Sequence, residues 1–199
     1  MTDDLTGLSN RRGFLIHSER SLNLCLRKNM PVSLAFLDIN GLKWINDTFG
    51  HQEGDRAIRL LGEAASEVCR DSDIVARLGG DEFVVLFTDA DSDGAAQIMT
   101  RLETALETRQ KEAGLSFTVA VSHGVAAFDP DRYNSVEDVL HEADSRMYER
   151  KSPRGLSGRS GWNPLSRPYL AAGRRGGASG SGHPGVHVVP QARFHAVTG

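Results

Sequence analysis

Two short apolar runs separated by a glycine pair constrain this chain most. Asp73-Ile74-Val75-Ala76 and Phe83-Val84-Val85-Leu86-Phe87 are rich in β-branched and aromatic residues, which predicts strands. Between them lies Arg77-Leu78-Gly79-Gly80-Asp81-Glu82. Glycine takes positive φ without steric cost, so Gly79-Gly80 predicts a hairpin. An ordinary hairpin does not need Asp81 and Glu82 side by side at its tip. Two acids beside a backbone stripped of side chains suit a divalent cation and a closely approaching phosphate. A solvated acidic turn would read the same way from these residues alone.

The rest of the chain alternates helical and strand patterns. Ser9-Asn10 is an N-cap region for a helix running to about Lys28, with Phe14, Leu15, Leu22, Cys25 and Leu26 at helical spacing. The entry Asp3-Asp4-Leu5-Thr6-Gly7-Leu8 is rich in short side chains that bond local backbone. Val32 to Leu37 is mostly apolar and predicts a central strand. It runs into Asp38-Ile39-Asn40-Gly41-Leu42-Lys43. A carboxylate there, at the end of a buried strand, suits a metal or phosphate, or else a local turn. Residues 44–55 are dense in polar groups, and Gly50 and Gly54 are expected to break any single helix. A helix is expected from about Gly54 to Arg70. Asn46 and Asp55 offer an amide and a carboxylate, groups able to read a guanine edge. Asp55 alone would equally suit a helix start. The Asp89–Gly94 stretch is an acidic turn and cap, followed by a helix from about Ala95 to Lys111. Phe117 to Ala127 predicts a strand, within which His123 is structural. Ser135 to Arg150 predicts the last helix, capped by Asn134 or Ser135. The resulting order, helices alternating with a strand, a hairpin and a strand, predicts an α/β (α+β) fold with a mixed sheet covered by helices.

Composition divides the chain. Of its 199 residues, 152–199 hold six arginines, no lysine and no acid, so the first 151 carry −9 of the net −3. The same 48 residues hold ten of the 21 glycines and five of the seven prolines. Such a tail is expected to be disordered and to bury no core. An inert tail is preferred over a nucleic-acid-binding one, since only composition favours the latter. No apolar run is long enough for a membrane helix, and no secretory leader is seen. Cys25 and Cys69 fall in helical patterns and are expected to be reduced small hydrophobes, in keeping with a cytoplasmic setting.

Four segments taken together resemble one family. They are Asp4-Leu5-Thr6-Gly7-Leu8-Ser9-Asn10-Arg11-Arg12, Asp38 to Asp47, Gly50-His51-Gln52-Glu53-Gly54-Asp55, and Arg77 to Phe83. They look like the GGDEF family of diguanylate cyclases, over about residues 3–151. The resemblance implies a palm-like, nucleotidyl-cyclase-like fold. It implies condensation of two GTP into cyclic di-GMP with release of two pyrophosphates, on two Mg²⁺ (or Mn²⁺) ions per active site. By position, Asp38 and Asp81 would be the metal carboxylates, with the carbonyl of Ile39 as a further ligand. Asp81 would also accept the proton of the ribose 3′-hydroxyl, and Glu82 would complete the acidic pair. Gly41 and Leu42 would approach the terminal phosphates, with Lys43 nearby and Lys151 reaching phosphate. Asn46 and Asp55 would bind guanine, with His51 beside them, and Gly79 and Gly80 would leave room for ribose and α-phosphate. Arg70 and Asp73 match the family's product-binding inhibitory site. One domain holds one GTP, so catalysis implies a two-fold homodimer.

Two departures stand out. The arginine expected four residues after Lys151 comes one residue early, as Arg154, behind Pro153. Only Met1 and Thr2 precede the first motif, so dimerisation is expected to be intrinsic, weak or provided by the tail. The alternative reading is a non-catalytic module that binds GTP or cyclic di-GMP. A degenerate receptor usually loses Asp81 or Glu82, and both are kept here.

Overall fold

The structure is a computed structural model and describes residues 1–151. The expected tail and Arg154 lie outside the described residues. The elements run β1 (Ser9–Asn10), α1 (Arg11–Arg27), β2 (Val32–Ile39), α2 (Leu42–Phe49), α3 (His51–Val68), β3 (Ile74–Gly79), β4 (Glu82–Thr88), α4 (Ser92–Ala113), β5 (Val121–Ala127) and α5 (Val136–Lys151). The sheet order is β1-β3-β4-β2-β5. β1 joins β3 in parallel and all other pairings are antiparallel, so the sheet is mixed, as expected.

β2 is buried at all eight positions because both of its faces are covered. Ala35, Leu37 and Ile39 point into a core shared with α2, α3 and α4. Leu34 and Phe36 point into a second core shared with α1 and α5. Period-two alternation along one strand thus feeds two layers of helix. Among the described residues no helix is long and apolar enough to cross a membrane.

Caps set several boundaries. The Asn10 side chain accepts from the N–H of Gly13, starting α1. Asp91 does the same for Gly94 and starts α4 three residues before the expected Ala95. At α5, Ser135 Oγ accepts from the N–H of Asp138, while Asp138 Oδ2 accepts from the N–H groups of Asn134 and Ser135. That reciprocal box settles the cap on Ser135. As expected, Val136, Val139, Leu140, Ala143 and Met147 are the buried face of α5.

Three expectations are corrected. Residues 42–49 form the separate helix α2, and α3 begins at His51 rather than Gly54. Gly50, at φ 90° and ψ 159°, ends one helix and starts the next with no loop between them. Gly54 breaks nothing and lies inside α3. Finally, β5 starts at Val121 rather than Phe117 because the backbone of Val119 is already taken. Its N–H donates to Gln110 Oε1 (2.6 Å) and its carbonyl accepts from Gln110 Nε2 (2.8 Å). A buried α4 side chain there does what a neighbouring strand would do.

Both cysteines are free, as expected. Burial, helped by the charge of Asp73, pushes the Cys69 thiol up to about 12. It therefore stays protonated and unreactive at neutral pH.

Candidate active site

The carboxylate end of β2 is built by strand register. Asp38 lies opposite Glu82 on β4 and opposite Ser122 on β5. Directly paired residues share a sheet face, so Asp38 and Glu82 project to the same side. That side is the α1 and α5 layer, opposite to Leu37 and Ile39. Asp38 is buried, and Lys151 at the end of α5 forms an ion pair with its Oδ1. β5 holds its own place here: Ser122 Oγ donates to Asn40 Oδ1 at 2.7 Å, and the N–H of Asn40 donates to the Ala120 carbonyl at 2.8 Å.

The hairpin behaves as expected, with Gly80 and Asp81 as its two-residue turn between Gly79 and Glu82. Gly79 has φ 146° and Gly80 φ 54°, values that side chains resist. The carbonyl of Asp81 accepts from the N–H of Ile39 at 3.1 Å, which ties the turn to the end of β2. So Asp38, Ile39, Asp81 and Glu82, far apart in two segments of sequence, come together.

A clamp behind the turn escaped sequence reading. Arg77 donates from Nη2 and Nε to the carbonyl of Gly80, at 2.8 and 3.1 Å. Its Nη1 donates to both oxygens of Asp3, at 3.1 and 3.2 Å. Asp3 also accepts from the N–H and Oγ1 of Thr6. Burial pushes the Asp3 carboxyl up, but the Thr6 and Arg77 hydrogen bonds outweigh it and hold the group below the ordinary carboxylate range. The signal was present, an acid just ahead of the first motif and an arginine in the last. They are 74 residues apart, and no local spacing joins them.

The remaining residues sit on α2 and α3. Gly41 is the N-cap of α2 at φ 69°, and no side chain caps that end. Leu42, the first residue of the helix, is buried, while Lys43 is exposed. The opening N–H groups of α2 thus have no side-chain cap. Asn46 is half-buried near the end of α2, His51 is exposed at the first turn of α3, and Asp55 is half-buried on its second turn.

The donor set at the hairpin is oxygen-only, which fits a hard divalent cation. Among the described residues no three His, Cys, Asp or Glu side chains are gathered as a complete metal cage. Mg²⁺ does not require one. It binds through one or two carboxylates and completes its shell with water and substrate phosphates.

Arg70 and Asp73 lie elsewhere, just ahead of β3 and beside the far end of β4. The hairpin strands are about 20 Å long at the usual rise, so this pair stands that far from Asp81. Asp73 Oδ1 accepts from the N–H of Thr88 at 3.0 Å, and Oδ2 from the N–H of Arg70 at 2.9 Å. The Asp73 carboxylate therefore holds the turn, and the Arg70 side chain extends into solvent.

His123, expected to be structural, lies on β5 between Glu103 of α4 (3.4 Å from Nδ1) and Arg150 of α5 (3.3 Å from Nε2). Burial lowers its pKa from 6.5; Glu103 works against that and Arg150 with it. The unfolded chain therefore binds this proton at a higher pH than the folded one, so folding stability falls as pH drops below 6.5. Denaturant midpoints taken above and below pH 6.5 should show that slope, and His123→Gln should flatten it.

The chain is similar to known proteins in sequence and fold. The family described as "Diguanylate cyclase, GGDEF domain" matches residues 1–155. The chain is 37% identical over 153 residues to the probable diguanylate cyclase DgcJ of Escherichia coli (strain K12), covering 76% of this chain and 29% of that protein. It is 34% identical over 151 residues to the cyclic di-GMP phosphodiesterase NbdA of Pseudomonas aeruginosa, covering 75% of this chain and 19% of that one. The chain thus spans less than a third of the length of either relative. Among solved structures, the GGDEF domain of DgcB from Caulobacter crescentus, in complex with c-di-GMP, superposes with a TM-score of 0.68 at 30% identity, covering 75% of this chain and 89% of that chain. By its fold, its motifs and these matches, the chain belongs to the GGDEF family.

Proposed function

We propose that the protein is a diguanylate cyclase, joining two GTP into cyclic di-GMP and releasing two pyrophosphates. The observation that carries this reading is the direct pairing of Asp38 with Glu82, beside a turn that presents Asp81. Asp38, Asp81 and the carbonyl of Ile39 would hold two Mg²⁺ or Mn²⁺ ions. Such ions polarise the α-phosphate, lower the pKa of the attacking hydroxyl and neutralise the departing pyrophosphate.

The chain's own groups do the rest. Asp81 takes the 3′-hydroxyl proton as that oxygen attacks the α-phosphorus of the other GTP. Glu82 adds the second carboxylate of the pair and supports metal or substrate. The free N–H groups after Gly41, with Lys43, receive the terminal phosphates. Lys151, paired with Asp38 here, has the charge and reach to contact phosphate as well. Asn46 and Asp55 bind the guanine edge, with His51 beside them. Gly79 and Gly80 keep side chains away from ribose and α-phosphate.

One chain presents one such site, so two chains face each other across a two-fold axis. Activity per chain should therefore rise with protein concentration until the dimer saturates. A rate per chain that is constant down to concentrations where the protein sediments as a monomer would refute the shared site.

Arg70 serves as a product-binding arginine, held out by the turn that Asp73 stabilises. Arg70→Ala should weaken inhibition by cyclic di-GMP about 10- to 100-fold, the loss of one charged hydrogen-bonding group. Unchanged inhibition in initial-rate measurements would remove the assignment.

A further inference from the structure

Gly54 has no evident reason to be glycine. It is buried in the fourth position of α3, and its φ is not positive. Glycine inside a helix is disfavoured relative to alanine, and no backbone demand offsets that here. Its surroundings do account for it. A Cβ at Gly54 would lie 1.9 Å from Asn46 Oδ1 and 2.9 Å from Asn46 Cγ. The Asn46 amide thus rests directly on the bare Cα of α3.

The atoms met are the far end of a flexible side chain, so a Cβ at Gly54 would be relieved by turning the Asn46 amide away from α3. α2 and α3 meet at Gly50 without a loop, and the Gly50 N–H donates to the Asn46 carbonyl at 3.0 Å. The Asn46 side chain makes no hydrogen bond among the described residues. Its orientation is therefore set by packing against Gly54, and no side-chain hydrogen bond within the described residues competes with a ligand for the amide.

We propose that Gly54 is a positioning residue for base recognition. By lacking a side chain it lets the Asn46 amide lie flat against α3, turned toward the same ligand as Asp55 one residue further on. The inference rests on the reading of Asn46 as a guanine-binding residue.

The test is equilibrium binding of 3′-deoxy-GTP and 3′-deoxy-ATP with Mg²⁺, since neither nucleotide has the attacking hydroxyl. Gly54→Ala, Asn46→Ala and the double variant are compared with the unaltered chain. Gly54→Ala should lose about tenfold in affinity for 3′-deoxy-GTP, the scale of one lost hydrogen bond, and little for 3′-deoxy-ATP. Its thermal midpoint should not fall by more than that of Asn46→Ala. The double variant should bind no more weakly than Asn46→Ala alone, because Gly54 acts through Asn46. Wild-type affinity in Gly54→Ala would overturn the proposal. So would a Gly54→Ala penalty that persists undiminished in the Asn46→Ala background, which would mark a purely structural role. If Asn46→Ala itself binds 3′-deoxy-GTP normally, the guanine reading fails and this inference falls with it.

Discussion

Replacing Asp81 by Asn should abolish cyclic di-GMP formation while leaving the fold intact. The substitution keeps the shape of the side chain and removes its negative charge. A metal carboxylate and a proton acceptor disappear in one step, so turnover should fall by about 10²–10³-fold or more. Little else should change. Among the described residues Asp81 is tied to the fold through its backbone carbonyl, which accepts from the Ile39 N–H, and an amide side chain leaves that bond in place. The thermal midpoint should therefore stay within about 3 °C of wild type. Asp38→Asn is a less clean probe, because Asp38 is buried and paired with Lys151. Its loss would unpair a lysine as well as a metal. A melting curve and a nucleotide assay on Asp81→Asn check both halves of the expectation.

The largest stability effect is expected at Gly124. Here β5 and α5 touch backbone to backbone. A Cβ at Gly124 would lie 2.2 Å from the Ala143 carbonyl oxygen and 2.3 Å from the Met147 nitrogen. Neither atom belongs to a flexible side chain, so one whole element must move. α5 is also secured to this strand by Arg146, which donates to the Val125 carbonyl at 2.9 Å. Gly124→Ala should cost about 3 kcal/mol or more, at the upper end for overpacking. The effect should reach the site, because α5 is what brings Lys151 to Asp38. Denaturant unfolding gives the stability change directly, and unaltered stability would contradict the close approach.

The contacts of Gly54 and Gly124 show where sequence reading stops. Patterns that live within one element were legible. The apolar run Val32–Leu37, the apolar stripe of α5 and the Gly79-Gly80 turn all follow from local spacing and local sterics. The positions of Asp38 at a strand end and Asp81 in a turn were legible too, and the structure brings the two segments together. What was missed depends on partners distant in sequence. Gly54 looked like a helix breaker because only Asn46, packed against it from another helix, explains it. The Arg77–Asp3 clamp needs β3 and the N-terminal turn to be adjacent first. The start of β5 depended on Gln110 reaching Val119 from α4. α2 was missed because its few buried residues, Leu42 and Ile45, make too short a stripe to stand out between two glycines.

The central claim is that Asp38, Asp81 and Glu82 form one half of a catalytic centre, the other half being the same site of a second chain. The most direct measurement is to incubate the protein at high concentration with GTP and Mg²⁺ and identify the nucleotide product by mass. Cyclic di-GMP and two pyrophosphates per product are expected, with no product when Mg²⁺ is chelated. GTP left unchanged, both by the chain alone and by the chain fused to a dimerising partner, would contradict the claim and favour a nucleotide-binding module without catalysis.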